Sequence, residues 1–377
     1  MSNPYMSIDP QLFTHRAGAE VHIDLSAITQ NYLYLQSKVA PAQCGGVVKA
    51  DAYGLGMVEV AKALYKAGCR HFFVAHLDEG IALRSVLNAE CTIYILHGFI
   101  PNQEALFIQN RLTPILNDIQ QLKSWSQLCN HQRKNHPAAV QFDTGMSRFG
   151  IGQDELAQLS QISWDFFRPC LAMSHLACAD TPDHPANQQQ LTRFNTLKAL
   201  IPCTTASLSA SSGIFLGKDF HFDLVRPGIA LYGGNPTPNA PNPMRAVVTL
   251  QGKILQTRSI NTGDFIGYGA TFVAPCPMKI ATLSIGYADG FFRSLSPKLQ
   301  ARSPKYPEIP LPLLGRISMD SLCVDVTNLP ENSIQSGDII ELIGKSCSIN
   351  DVARTIDTIS YEILTALGDR YHRIYTS

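Results

Sequence analysis

The chain has 377 residues, too many for one ordinary domain and, at roughly 150 residues each, enough for two or three. Hydrophobic residues make up 45% and charged residues only 16%, below the roughly 25% of an average globular protein, which excludes disorder for the chain as a whole. Thirty Lys plus Arg balance thirty Asp plus Glu, so there is no net charge with which to attract nucleic acid or an anionic membrane surface.

The first twenty residues, MSNPYMSIDPQLFTHRAGAE, contain neither a basic start nor an apolar core of roughly 7 to 15 residues. No later apolar run approaches about 18 residues, so neither export nor membrane spanning is expected, and the protein reads as cytoplasmic. The ten cysteines are scattered without a C-x-x-C pair and read as reduced thiols. His175 and Cys178 are close but lack a second pair nearby, so no zinc or other metal site is expected.

After an N-terminal extension, residues 1–18, eight short apolar runs follow in order: GGVVKA, HFFVAH, TIYILHG, LTPIL, AAVQFDTG, CLAMSHLA, TASLSAS and LVRPGIALYG. Stretches rich in Leu, Ala, Gln and Lys separate them, each with room for one helix, which predicts parallel βα units. Eight such units point to a (β/α)8 TIM-type barrel over residues 19–243. GGNPTPNAPNPM then ends regular structure with its prolines and asparagines. Beyond it, AVVTLQGKILQTRSI, MKIATLSIGYA, LCVDVTNL and DIIELIG are closely spaced β-like runs, predicting a smaller, mostly β domain over residues 244–377.

The loops that follow barrel strands carry the chemistry of such folds, and Lys49 ends the first run. A lysine emerging from an apolar strand is partly desolvated, which favours its neutral, nucleophilic form. The string around it, VVKADAYGLG, resembles the pyridoxal-phosphate lysine motif of bacterial alanine racemases. The resemblance continues through QFDTGMSRFG, SHLACAD, HFDLVRPGIALYG, IGYGATF, SIGYADG, GRISMD and TISYEIL, in that family's order, from about Glu20 to Tyr361.

The resemblance implies that Lys49 holds pyridoxal 5'-phosphate as a Schiff base and then acts as a base beside the substrate Cα. It implies a phosphate cradle of Tyr53, Ser211, Tyr361 and the backbone N–H groups of Gly228 and Ile229, with Ser209 and Ser212 as rivals to Ser211. Arg226 would face the pyridine nitrogen and, being protonated, keep that nitrogen unprotonated, which weakens the ring as an electron sink and limits transamination. Tyr268 corresponds to the second base, supported by His175 and Arg226. As it lies in the β domain, the family pattern places it in the partner's site, so a homodimer with shared active sites is implied. Met319 would offer a backbone N–H to the substrate carboxylate, with Asp320 beside it. Tyr287 corresponds to a gate, and Arg293 and Arg316 to the approach.

Arg148 matches the arginine that contacts the cofactor's phenolic oxygen and the substrate carboxylate. Many family members carry a carbamylated lysine seven residues earlier, where this chain has Gln141. A glutamine cannot be carbamylated, and the expectation is that Gln141 orients Arg148 directly, with a bound chloride restoring charge balance. The function implied is interconversion of L-alanine and D-alanine, supplying D-alanine for peptidoglycan. The alternatives are a serine or broad-specificity amino-acid racemase and a non-catalytic pyridoxal-phosphate carrier on the same barrel.

Overall fold

A computed structural model describes residues 17–377. The chain divides into two units, Ser26–Arg245 and a second formed by the segment through Leu25 together with Ala246–Ser377. Of the expected extension, residues 1–18, all but Ala17 and Gly18 lie outside the described residues.

Strand β1 (Ala19–Asp24) comes first in the chain but pairs with strands of the second unit, so the barrel starts after it and not at residue 19. Helix α1 (Leu25–Val39) then opens the barrel unit, burying Ala27, Ile28, Asn31, Tyr32, Leu35 and Val39 at the spacing of one helical face. The first apolar run holds β3 (Gly46–Val47), and β2 (Gln43–Cys44) lies just before it, across Gly45. There follow α2 (Met57–Lys66), β4 (His71–Val74), α3 (Leu77–Arg84), β5 (Thr92–Ile95), α4 (Glu104–Gln109), β6 (Thr113–Leu116) and α5 (Ile119–Gln132). Then come β7 (Ala139–Gln141), β8 (Leu171–Met173), α6 (Pro185–Lys198), β9 (Ala206–Ser207) and β10 (Leu224–Val225).

Strands β3 through β9 are parallel neighbours in sequence order, and β10 pairs with β2. The ring closes because the Arg226 N–H donates to Ser209 O at 2.9 Å on one side, while the Gly45 and Val47 N–H groups donate to Val225 and Pro227 on the other. Side chains such as Phe72, Phe73, Ile93, Ile95, Val140 and Ala172 are buried whichever face they occupy, which is why these strands read as continuous apolar runs. Two connections depart from the expected helix: β7 leads to a loop and a 3-10 turn (Leu156–Gln161), and β9 to two 3-10 turns (Ser212–Phe215 and Lys218–Phe220).

In the second unit, β11 (Val248–Ile260) is long enough to serve several partners. It pairs with β1 and with β18 (Ile339–Ile343) over its first half, and with β14 (Met278–Leu283) over its second. Strands β15 (Gln300–Ser303), β16 (Tyr306–Leu314) and β17 (Leu322–Asp325) complete a circuit from β18 back to β14. The last strand, β19 (His372–Thr376), runs parallel to β1. A hairpin of β12 (Phe265–Ile266) and β13 (Phe272–Val273) stands apart from this sheet, its base packed through Ile266 on Ala274, Met278, Ile280 and Leu314. Short helices α7 (Ile349–Thr355) and α8 (Ser360–Thr365) precede the last strand. None of the ten cysteines forms a disulfide, and no helix among the described residues is long and apolar enough to cross a membrane.

Candidate active site

Lys49 follows β3 by two residues and begins a turn of unusual hand. Ala50, Asp51, Ala52 and Tyr53 all have positive φ, between 51 and 58°, a conformation costing roughly 1–2 kcal/mol for each L-residue. Other bonds hold it: Ala52 N–H donates to Val48 O at 2.9 Å, and the Asp51 carboxylate accepts the Met57 N–H at 2.7 Å. Burial, together with the positive charge of Arg148, pulls the Lys49 amine below its ordinary value and toward the neutral form.

The turn carries Tyr53 inward, where its ring packs 4.8 Å from that of Tyr232, whose hydroxyl donates to Val47 O at 2.8 Å. The Tyr53 hydroxyl lies against Gly228, and a Cβ on that glycine would stand 2.3 Å from it. Ser211 completes this corner, its Oγ accepting the N–H groups of Gly228 at 3.0 Å and Ala230 at 3.2 Å. Its rival Ser209 instead donates to Phe220 O at 2.7 Å. The Ile229 N–H has no partner among the described residues, so serine hydroxyl, phenol and free N–H converge at the end of β10.

Arg226 is wholly buried, and its guanidinium bridges two strand ends. It donates to Ser207 Oγ, to Ser174 O at 2.8 Å and to His175 Nδ1 at 3.3 Å. Burial pulls Arg226 down to about 10, so it stays protonated at neutral pH. Burial and the neighbouring charges of Arg226, Arg148 and Lys49 push His175 down to about 3. Since arginine only donates, Nδ1 of the neutral imidazole is the acceptor and Nε2 carries the hydrogen.

The Arg148 loop is built by residues that sequence reading passed over. One Asp143 carboxylate oxygen accepts the N–H groups of Gly145, Met146 and Ser147 at 2.8 to 3.1 Å. Buried Gln190 on α6 donates to Thr144 Oγ1 at 3.1 Å and to His175 O at 2.9 Å, and accepts the Ala177 N–H at 2.8 Å, so it ties this loop to the histidine. Arg148 itself is exposed, and its guanidinium has no hydrogen-bond partner among the described residues.

In the second unit Tyr268 sits on the 3-10 turn at the tip of the β12–β13 hairpin, with Gly267 and Gly269 supplying the positive φ that the tip needs. The Arg316 guanidinium packs under this tip, 3.0 Å from where a Gly269 Cβ would lie. Met319 and Tyr287 meet at backbone level: the Ala288 N–H donates to Met319 O and the Tyr287 N–H to Ser318 O, both at 3.0 Å. The Met319 N–H has no partner among the described residues. Asp320 is held by Arg370 at 2.7 Å, Arg293 is exposed on its own 3-10 turn, and Tyr361 projects from α8. The structure thus gathers Lys49, Tyr53, His175, Ser211, Arg226, Gly228 and Ile229 in one unit, with Arg148 on its loop. It gathers Tyr268, Arg316, Met319 and Tyr287 in the other.

Comparison with known proteins matches residues 23–236 to the family described as alanine racemase, N-terminal domain, and residues 247–375 to its C-terminal domain. The chain belongs to the alanine racemase family. An alanine racemase of Brucella canis is 44% identical across 100% of this chain and 97% of its own. A catabolic alanine racemase of Mesorhizobium japonicum is 47% identical across 95% of this chain and 93% of its own. Among solved structures, an alanine racemase from Bartonella henselae with covalently bound pyridoxal phosphate superposes with a TM-score of 0.90 at 43% identity, over 96% of this chain and 100% of that one.

The expectation that Gln141, where this chain departs from the family pattern, orients Arg148 directly is corrected by the geometry. Gln141 does not reach the Arg148 guanidinium; its amide nitrogen donates to Phe149 O at 3.3 Å, and its backbone oxygen accepts the Ile151 N–H at 2.8 Å. Beside it Gly150, at φ 112°, lets the chain double back so closely that a Cβ there would stand 2.4 Å from Asp143 N. Gln141 thus secures the backbone beside Arg148 and leaves the guanidinium free.

Proposed function

We propose that the protein is a pyridoxal-phosphate-dependent alanine racemase that interconverts L-alanine and D-alanine as a homodimer with shared active sites. The observation that carries this reading is the pairing, around neutral His175, of a desolvated Lys49 with an Arg226 that keeps its proton. The residues present fit the cofactor: Lys49 for the aldehyde, Arg226 for the ring nitrogen, and Ser211, Tyr53, Gly228 and Ile229 for the phosphate, with Tyr361 as a further phosphate ligand. The close approach at Gly228, which any Cβ would obstruct, is what an anion on backbone N–H groups requires. When bound, the cofactor supplies the electron withdrawal that makes the Cα hydrogen of an attached amino acid acidic.

Lys49, held toward its neutral form, takes or returns the Cα proton on one face of the substrate. On the other face the same work falls to Tyr268 of the partner subunit, with the Nε2–H of His175 as its relay to Arg226. Arg226 donates hydrogen bonds without giving up its proton, so it would hold the cofactor's ring nitrogen unprotonated and temper the electron withdrawal that the cofactor supplies. The unpaired Arg148 guanidinium and Met319 N–H are free for the substrate carboxylate. Tyr287, Arg293 and Arg316 fit a gate that draws in carboxylates. In this reading the enzyme works in the cytoplasm, where ten unpaired cysteines are at home, and its D-alanine serves peptidoglycan.

Two experiments test it. The purified protein should form D-alanine from L-alanine faster than it racemises any other member of an amino-acid panel; conversion of lysine or arginine far above alanine would contradict the substrate assignment. Inactive Lys49→Ala chains mixed with inactive Tyr268→Phe chains should regain part of the activity, because each mixed dimer contains one intact site. Failure of well-folded mixed dimers to regain it would contradict the shared site.

A further inference from the structure

Glu79, three residues into α3, belongs to none of the groups assigned above, yet its side chain reaches the residue that follows Lys49. One carboxylate oxygen accepts the Ala50 N–H at 2.6 Å. The other accepts the N–H groups of Ala75 at 2.7 Å and His76 at 3.0 Å, where the chain leaves β4. The first bond fastens the opening of the left-handed turn, the other two fasten the neighbouring strand's end, and one carboxylate spans both. An ordinary helix cap would need only the His76 bond.

We propose that Glu79 is a positioning residue for Lys49, clamping the left-handed turn to the end of β4 and placing a negative charge beside the lysine amine. This rests on Lys49 being the cofactor lysine. The groups facing Lys49 and Glu79 are the cation Arg148, the two histidines His76 and His97, whose rings meet edge to face at 4.6 Å, and, on the Lys49 side, His175. The Glu79 charge supports the protonated form of Lys49 against the opposing influence of burial and Arg148. The clamp also explains how four consecutive L-residues persist at positive φ in front of a reacting group, since the chain on both sides of them is held by short bonds.

The test uses the cofactor-loaded enzyme. In Glu79→Gln the amide has one accepting end, so either the Ala50 bond or the pair to Ala75 and His76 is lost. Its kcat should fall about tenfold while KM for either alanine enantiomer changes less than about twofold. The pH transition of the cofactor's visible band should move to lower pH, and amide hydrogen exchange at Ala50 should quicken. Glu79→Asp keeps the charge but cannot span the gap, so its kcat should fall while the band's transition stays in place. The neighbouring exposed Asp78→Asn should leave all these readouts unchanged. Unaltered kcat, band and exchange in Glu79→Gln would overturn the proposal, as would a lower melting temperature with unchanged kcat per bound cofactor. Should Glu79→Gln fail to fold, full kcat in Glu79→Asp would overturn it. Borohydride reduction of the unaltered enzyme separates the two readings: label on a lysine other than Lys49 removes the premise, whereas label on Lys49 with silent Glu79 variants removes only this inference.

Discussion

The two units treat their site residues in opposite ways. In the barrel, Arg226 is 3% exposed and Ser211 1%, and both are fixed by short bonds to strand ends. In the β unit, Tyr268 is 70% exposed and Met319 53%, carried on turns whose bases alone are packed. Each arrangement suits a different task. A cofactor seat gains from groups whose geometry is set before the ligand arrives, because nothing then has to be reorganised. A tyrosine displayed at a hairpin tip between exposed Phe265 and Val273 belongs to an exposed apolar surface, of the kind that the proposed homodimer would cover.

Substitutions on the two sides should separate accordingly. The largest effect is expected at the displayed residue: Tyr268→Phe should lower racemisation by about 10²–10⁴-fold, as for loss of an acid/base group, yet shift unfolding free energy by less than about 0.5 kcal/mol, as for a surface change. Steady-state rates and a urea titration check this, and a large stability loss would show that the tip is structural. Arg226→Lys should behave in the opposite manner. A lysine cannot serve Ser174 O, Ser207 and His175 together, so racemisation should fall about hundredfold and stability should fall with it by about 1–3 kcal/mol. A fully stable variant would contradict the description of Arg226 as a buried bridge.

Smaller effects sharpen the contrast further. Gly228→Ala puts a Cβ against the Tyr53 hydroxyl and should weaken cofactor binding by about tenfold, measured by equilibrium dialysis, while leaving the alanine KM of loaded enzyme near its original value. A further contrast lies in the pH dependence of stability. His175 takes up its proton near 6.5 in the unfolded chain but only near 3 when folded. Between those values the unfolded state binds more protons, so stability should fall as pH falls through that window. In His175→Asn this part of the decline should be absent.

Much of the barrel was legible because strands buried on both faces leave unbroken apolar runs in the sequence, as HFFV and TIYI do. What escaped is what depends on distant partners. AEVHID alternates like a strand, but its pairing with β11 and β19 at the far end of the chain has no local sign. β16 was hidden by Pro307, Pro310 and Pro312, which argue against a strand until its register shows Pro310 and Pro312 on alternate positions whose nitrogens point away from β15, the side to which the Leu313 N–H donates at Leu299 O. The site residues named from motifs were those of recognisable chemical type, whether after a strand like Lys49 and Arg226, on a turn like Tyr268 or on a helix like Tyr361. Glu79 was missed because L-D-E at a helix start reads as a capping pattern, and nothing local tells that its carboxylate turns toward Ala50. Gln190 lies in a polar helix segment, and only the fold brings it to Thr144 and His175.

The central claim is that two different bases serve the two faces of the substrate, one from each kind of unit. Racemisation rates cannot divide their work, because the enantiomers are equal in free energy and kcat/KM must stay equal in the two directions in any variant. Hydrogen exchange at Cα can. With Lys49 intact in Tyr268→Phe, D-alanine incubated in deuterated solvent should be recovered as D-alanine deuterated at Cα, while L-alanine should exchange barely at all. Equal exchange from both enantiomers would contradict the account and leave a single base working on both faces.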